Sequence, residues 1–232
     1  MMKTIGLVGG TGWISSVEYY RIINEEINKR LGGMEYAKCI LFSLNYGEIN
    51  SFNLANNTAG VYSLVLDASL KLINSGADCI VLCANTLHQF ADKLKTEINV
   101  PIVHIASATA KEIRKNRMLK IGLLGTKQTM EMDFYKTELA KENIDTIMPG
   151  IDDRNFIQNT INNELFKGIF LEESRNRFIA IINNLIKQGS EGIILGCTEI
   201  PLLIKQANVN IPLFNTLLIH SFAAVDFALN DI

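Results

Sequence analysis

The chain has 232 residues, 48% of them hydrophobic, and a formal net charge of −2, enough apolar material for one large domain or two small ones. A near-neutral balance without a basic stripe argues against nucleic acid or an anionic membrane as partner, and no apolar run reaches the length of a membrane span. The opening MMKTIGLVGG lacks the long apolar segment and cleavage site of a secretory leader, so the expectation is a cytoplasmic protein with a small-molecule partner.

In chain order, short β-branched runs alternate with amphipathic segments of helical period, the pattern of parallel strands joined by helical crossovers. The first half places strands near 4–8, 37–43, 79–83 and 102–105, and the second near 120–124, 145–148, 192–196 and 211–214. The halves resemble each other. KTIGLVGGTGW near the start resembles KIGLLGTKQTM from Lys120, with Ile5 to Gly9 falling on Ile121 to Gly125 at an offset of 116, half the chain length. SGADCIVLCANT and QGSEGIILGCTE align at 113, and VPIV and IPLF at 111. Such self-similarity marks a duplicated unit. The predicted fold is therefore α/β, two pseudo-symmetric doubly wound parallel-sheet domains with the site in the cleft between them. The boundaries are drawn as 1–112 plus 213–232 for the first domain and 113–212 for the second.

In doubly wound sheets, reactive groups gather beyond the carboxyl ends of the strands, where GGTGW, CANT, GTKQT and GCTE all fall. The internal alignment sets Ala84 opposite Cys197. Paired sites of this kind suit proton transfer at a carbon acid, since removing an amino-acid α-proton needs a positioned base and electrostatic help for the carbanion, and inversion needs an acid on the other face. A thiolate and a thiol would supply the two, with Gly, Ser, Thr and Asn loops holding the α-carboxylate.

The four cysteines, Cys39, Cys79, Cys83 and Cys197, show neither a disulfide framework nor zinc spacing, so free thiols and no metal are expected. Cys39 and Cys79 read as buried strand residues. Cys83 should point away from Ala84, because neighbouring strand side chains alternate; it is read first as a packed strand end and second as a substitute for the missing thiol. His104 and His220 read as hydrogen-bonded core residues, while His88 divides evenly between a site role and packing. Trp13 is either a site wall or a packed anchor. Glu199, a carboxylate two residues after a cysteine on an apolar strand, needs a partner to be buried; it could hold a substrate ammonium or orient a neighbour.

At these residues the sequence resembles the cofactor-independent aspartate/glutamate racemases. The resemblance is carried by KTIGLVGG with Trp13 and VEYYRIIN, CANTLH, VPIVHIASATA, IGLLGTKQTMEMDFYK, ELFKGIF, GIILGCTEIPLL, and IPLFNT followed by His220, nearly the whole chain. It implies two α/β domains, no pyridoxal phosphate or other cofactor, no metal, a small amino-acid substrate and a homodimer. It makes Cys197 the second-half catalytic thiol with Thr198 and Glu199 beside it. It gives the α-carboxylate to Asn85, Thr86 and Thr126, and makes Lys167 a candidate for a side-chain carboxylate. Thr11, in the GGTGW loop, joins the candidate substrate ligands.

The chain departs from the family pattern where a catalytic cysteine precedes Asn-Thr, because Ala84 stands there. Gly12, Ser107 and Asn215 replace the Ser, Asp and Asp of the pattern, and SLNYGEINS from Ser43 has no arginine. The expected activity is thiol-based α-proton transfer on aspartate or glutamate. The alternatives are a one-thiol decarboxylase or isomerase of a related small acid, and a catalytically silent amino-acid-binding protein.

Overall fold

The computed structural model describes residues 1–230, which divide into two units: Met1–His104 with the C-terminal segment from His220, and Ile105–Ile219. The first unit runs β1 (Ile5–Gly9), α1 (Trp13–Leu31), β2 (Cys39–Ser43), α2 (Tyr46–Leu54), α3 (Thr58–Asn74), β3 (Cys79–Leu82), a 3-10 turn over Asn85–Phe90, α4 (Ala91–Lys95) and β4 (Ile102–Val103). The second runs α5 (Ile105–Lys115), β5 (Lys120–Gly125), α6 (Lys127–Glu131), α7 (Asp133–Ala140), β6 (Asp145–Ile147), α8 (Ile151–Asn163), a 3-10 turn over Leu165–Lys167, α9 (Glu172–Lys187), β7 (Gly192–Gly196), α10 (Ile200–Leu203), a 3-10 turn over Gln206–Asn208 and β8 (Leu213–Asn215). Helix α11 (Thr216–Leu229) begins in the second unit and continues into the first.

Each unit is built on one four-stranded sheet, ordered β2-β1-β3-β4 and β6-β5-β7-β8, with every pairing parallel. The central strands are buried along almost their whole length, whereas the edge strands β2 and β6 are partly exposed. Parallel strands need crossover segments, and those helices cover both faces of the inner strands, which therefore read as continuous apolar runs. The strand order reverses between β1 and β3 and again between β5 and β7. These are the switch points of the two sheets, so the loops leaving the carboxyl ends of those four strands are where a ligand site belongs.

The sequence-based boundaries at 112/113 and 212/213 differ from the observed ones at 104/105 and 219/220. The cause is α5. Its Ile105, Ala106, Ala110 and Ile113 join the same core cluster as Tyr135 and Leu139 of α7, and the Tyr135 hydroxyl donates to Thr109 Oγ1 at 3.2 Å. The helix is committed by its buried face. Strand β4 also ends before His104, because α5 begins at Ile105.

One glycine fixes how the first switch point is shaped. Gly10 has φ +87°, and a Cβ placed there would fall on the backbone of Leu44, whose N–H donates to Gly9 O at 3.0 Å. Gly76 also has a positive φ, +96°, but open space around it. Gly76→Ala should therefore cost only the left-handed backbone penalty, about 1–2 kcal/mol, whereas Gly10→Ala adds a backbone clash and should lose clearly more. Urea unfolding of the two variants checks this, and equal losses would mean that the Leu44 contact is unimportant.

Candidate functional site

In the first unit the loop after β1 is tied down by the first turn of α1. Ser16 Oγ accepts from Gly10 N–H at 2.9 Å and donates to Gly12 O at 2.9 Å, and Ser15 Oγ donates to the same carbonyl at 2.9 Å. This fixes Thr11, whose Oγ1 is buried and makes no hydrogen bond within the chain. Such an orphaned hydroxyl costs on the order of 1–3 kcal/mol unless something else satisfies it. Trp13, the next side chain of note, is 66% exposed, so it is not a packed anchor within this unit.

Beyond β3, Cys83 N–H donates to Val8 O at 2.9 Å, and Ala84 is still extended at φ −148°, ψ 140°. Alternation therefore continues to the strand tip. Ala84, Leu82 and Ile80 share one apolar cluster with Val65 and Leu72 of α3, and Cys83 is not among them. Its buried Sγ turns instead toward Val81 O, 3.7 Å away, and burial holds the thiol strongly neutral. Asn85 is 3% exposed, while Thr86 is partly exposed and its carbonyl accepts from Gln89 Nε2 at 2.9 Å.

The second unit repeats this design with different side chains. Val8 pairs with Leu82 in the first sheet and Leu124 with Leu195 in the second. Ala84 lies two residues beyond Leu82 and Cys197 two beyond Leu195, so the two positions are equivalent by strand register. In the second sheet Gly125 pairs with Gly196, and a Cβ on Gly125 would stand 2.8 Å from Gly196 O. Thr126 and Cys197 are thus the first side chains past a close glycine contact. Thr126 Oγ1 caps α6 by accepting from Thr129 N–H at 3.2 Å and pairs with Thr129 Oγ1 at 3.0 Å.

Cys197, Thr198 and Glu199 are 5%, 4% and 2% exposed. The Cys197 thiol donates to Glu199 Oε2 at 3.2 Å and Thr198 Oγ1 donates to the same oxygen at 2.9 Å. Glu199 Oε1 is buried with no hydrogen bond from the described residues. Burial first, and then the adjacent Glu199 charge, hold the Cys197 thiol well above its usual range, against a smaller opposing pull from the Glu199 and Ile200 backbone N–H groups. At rest this is a thiol, not a thiolate. The candidates Cys197, Thr198 and Glu199 are brought together, while Thr11 and Ala84–Asn85 follow the ends of the paired strands β1 and β3 in the first unit. Lys167 closes a 3-10 turn, is exposed, and is followed by the left-handed Gly168. Among the described residues no cluster of three or more His, Cys, Asp or Glu is placed to hold a metal, and no helix is long and apolar enough to cross a membrane.

A family model described as Asp/Glu/Hydantoin racemase matches residues 8–224. The chain belongs to this family. A Yersinia pestis protein described as a candidate Asp/Glu racemase is 41% identical, with 98% of this chain and 100% of that one covered and a TM-score of 0.91. An aspartate racemase homologue from Pyrococcus horikoshii OT3 is 33% identical, with 98% and 99% covered and a TM-score of 0.84. The broad specificity amino-acid racemase RacX of Bacillus subtilis strain 168 is 26% identical over 66% of this chain and 65% of its own length.

This racemase-family chain also contains a group that sequence reasoning missed. All three histidines meet in the first unit. The His88 ring lies 4.8 Å from that of His104 and 5.3 Å from that of His220. His220 Nε2 lies 2.7 Å from Val103 O and its Nδ1 2.8 Å from the Tyr19 hydroxyl. A carbonyl can only accept, so Nε2 carries the proton and Tyr19 donates to Nδ1. By the same logic His88 Nδ1–H donates to Ala84 O at 3.0 Å, fixing the backbone where the family's first thiol would stand. His220 matches the core reading, His104 is half-buried with its ring against His88, and His88, 2% exposed, takes the packing alternative. Each was weighed singly because residues 88, 104 and 220 share no spacing that predicts contact.

Burial, followed by the neighbouring histidine, lowers His88 and His220 from 6.5 to about 3 each. Both stay neutral in the folded state, while the unfolded chain takes up protons below about pH 6.5. Stability is thus full above that pH and falls as pH drops from 6.5 toward 3, by up to about 1.4 kcal/mol per pH unit for each histidine. Urea midpoints between pH 7 and 4 should show this slope, and His220→Gln should reduce it; an unchanged slope would remove His220 from the acid response.

Proposed function

We propose that this chain catalyses cofactor-independent α-proton transfer on a small amino acid, aspartate or glutamate, with Cys197 as the reacting thiol. The observation that carries the reading is a buried thiol hydrogen-bonded to a buried carboxylate at the switch point of the second sheet. The family's description and the Pyrococcus homologue support the acidic substrate. Candidate ligands for the α-carboxylate and ammonium are Thr11, Asn85 and Thr86 in the first unit and Thr126 and Thr198 in the second, with Lys167 for a side-chain carboxylate. In the same reading the enzyme is a cytoplasmic homodimer.

Ala84 favours a second reading within this chemistry. A methyl group neither gives nor accepts a proton, and Cys83, buried on the other side of the strand, is poorly placed to substitute. A one-sided site exchanges the α-proton with solvent and returns it to the same face, which is also the partial reaction of a one-thiol decarboxylase or isomerase. A catalytically silent binding protein would exchange nothing.

In D₂O, the expected result with aspartate or glutamate is α-deuteration with retention, followed by NMR and chiral chromatography. Cys197→Ala should lower the exchange rate by about 10²–10⁴-fold; undiminished exchange would remove Cys197 from the chemistry. Ala84→Cys should add inversion to exchange, and a variant that still only retains configuration would show that this position does not face the α-carbon.

A further inference from the structure

Among the described residues no strand pairs with the outer side of β2, which ends the first sheet in the order β2-β1-β3-β4. Lys38 O accepts from Ile5 N–H at 2.8 Å, and Leu44 N–H donates to Gly9 O at 3.0 Å, so the even-numbered residues turn their peptide groups toward β1. Cys39, Leu41 and Ser43 therefore turn theirs outward, away from the sheet. An open edge is normally blunted by charge, proline or a bulge. Cys39–Ser43 reads CILFS, with neither charge nor proline, and pairs with β1 residue for residue.

A second open surface adjoins this edge. One flank of α1 is covered by α11: the Tyr19 hydroxyl donates to His220 Nδ1 at 2.8 Å, and Arg30 Nη1 donates to Asp226 Oδ1 at 2.5 Å. Trp13, Val17 and Tyr20, at helical spacing on the other flank, are 66%, 54% and 53% exposed. Asn24 continues this stripe, and its Oδ1 accepts from Ala37 N–H at 3.0 Å, two residues before β2. Leu41 belongs to the same face, since it lies with Ser16 over Gly9, and it is 42% exposed. No residue of the stripe is charged. The four apolar side chains leave on the order of 400 Å² open, the size of the largest patch an ordinary monomer carries. That is close to the apolar core of an interface burying about 800 Å² per partner.

We propose that this face is the contact between two copies of the chain, made by antiparallel pairing of β2 with β2 about a two-fold axis at Leu41, with the α1 stripes meeting alongside. A second copy is the occupant that fits, because the outward groups complement themselves. An axis at Leu41 sets Leu41 against its equivalent and Cys39 against Ser43, so all three outward residues exchange N–H···O bonds at once. An axis at Cys39 or Ser43 would pair only that residue within the strand. The two four-stranded sheets then join into one of eight, with both Leu41 side chains adjacent on the α1 side. The inference rests on the homodimer of the functional reading and not on the chemistry at Cys197.

Sedimentation of the unaltered protein across a dilution series should give a dimer. Leu41→Lys puts a charge at the axis and Val17→Glu one on the stripe. Each should raise the dimer dissociation constant by about 30-fold or more, with far-ultraviolet circular dichroism unchanged. Leu41→Cys in a Cys39→Ser background should be joined between copies by the shortest bis-maleimide. The native Cys39 thiols, about 14 Å apart along the paired strands, should not be.

A dimer that survives both charge variants would put the contact elsewhere and overturn the proposal while the homodimer stands. Dissociation on Val17→Glu without a Leu41→Cys link would overturn the strand pairing. Should Leu41→Lys fail to fold, Val17→Glu, on an exposed helix face, decides together with the cross-link. A protein that is monomeric at every dilution overturns the homodimer and this surface together, and leaves the D₂O exchange experiment to judge the chemistry by itself.

Discussion

The close approach of β5 and β7 at Gly125 and Gly196 sets the terms for the second unit. A side chain on either glycine would press on the backbone of the other strand, so the two strands can run side by side to their tips only because both are bare there. The first side chains to emerge are Thr126 and Cys197, at the point where the strand order reverses. The first unit meets the same demand differently. Gly9 leaves room for Ser16, which then holds Gly10 and Gly12 in place. In both cases missing side chains give the loop its shape, and the neighbouring polar groups exploit the space.

Burial and charge then determine what the exposed tips can do. A thiol sealed from water beside a carboxylate is disfavoured as an anion, so Cys197 rests with its proton in place. The carboxylate bonded to that thiol raises the barrier to ionisation further. The first unit has no counterpart: Ala84 packs among apolar residues, and its carbonyl is engaged by His88. The two repeats thus share a frame while one ends in a buried thiol–carboxylate pair and the other in hydrocarbon and neutral imidazole.

Most of the frame was legible in the sequence. The observed strands lie within two or three residues of those read from apolar runs, and the alignment of the repeats placed Ala84 against Cys197 before the registers of Leu82 and Leu195 did so in three dimensions. The boundary drawn at 112/113 falls inside α5, whose buried face packs in the second unit. Local chemistry was partly visible: a carboxylate two residues after a cysteine called for a partner, and Glu199 Oε2 accepts from the Cys197 thiol and the Thr198 hydroxyl. Contacts between distant residues were not visible. Ser16 reaching back to Gly10 and three histidines converging from positions 88, 104 and 220 depend on how crossovers are routed, which no local period encodes.

The placement of the four sulfurs has a practical consequence for handling the molecule. Cys79, Cys83 and Cys197 are buried and only Cys39, on the edge strand β2, is partly open to solvent. A thiol reagent applied to the native protein meets Cys39 first, so a dye or spin label attached without mutagenesis reports on the rim of the first sheet. The other three sulfurs act as internal markers, becoming available as their surroundings open and timing the loss of each unit separately: Cys79 and Cys83 for the first, Cys197 for the second.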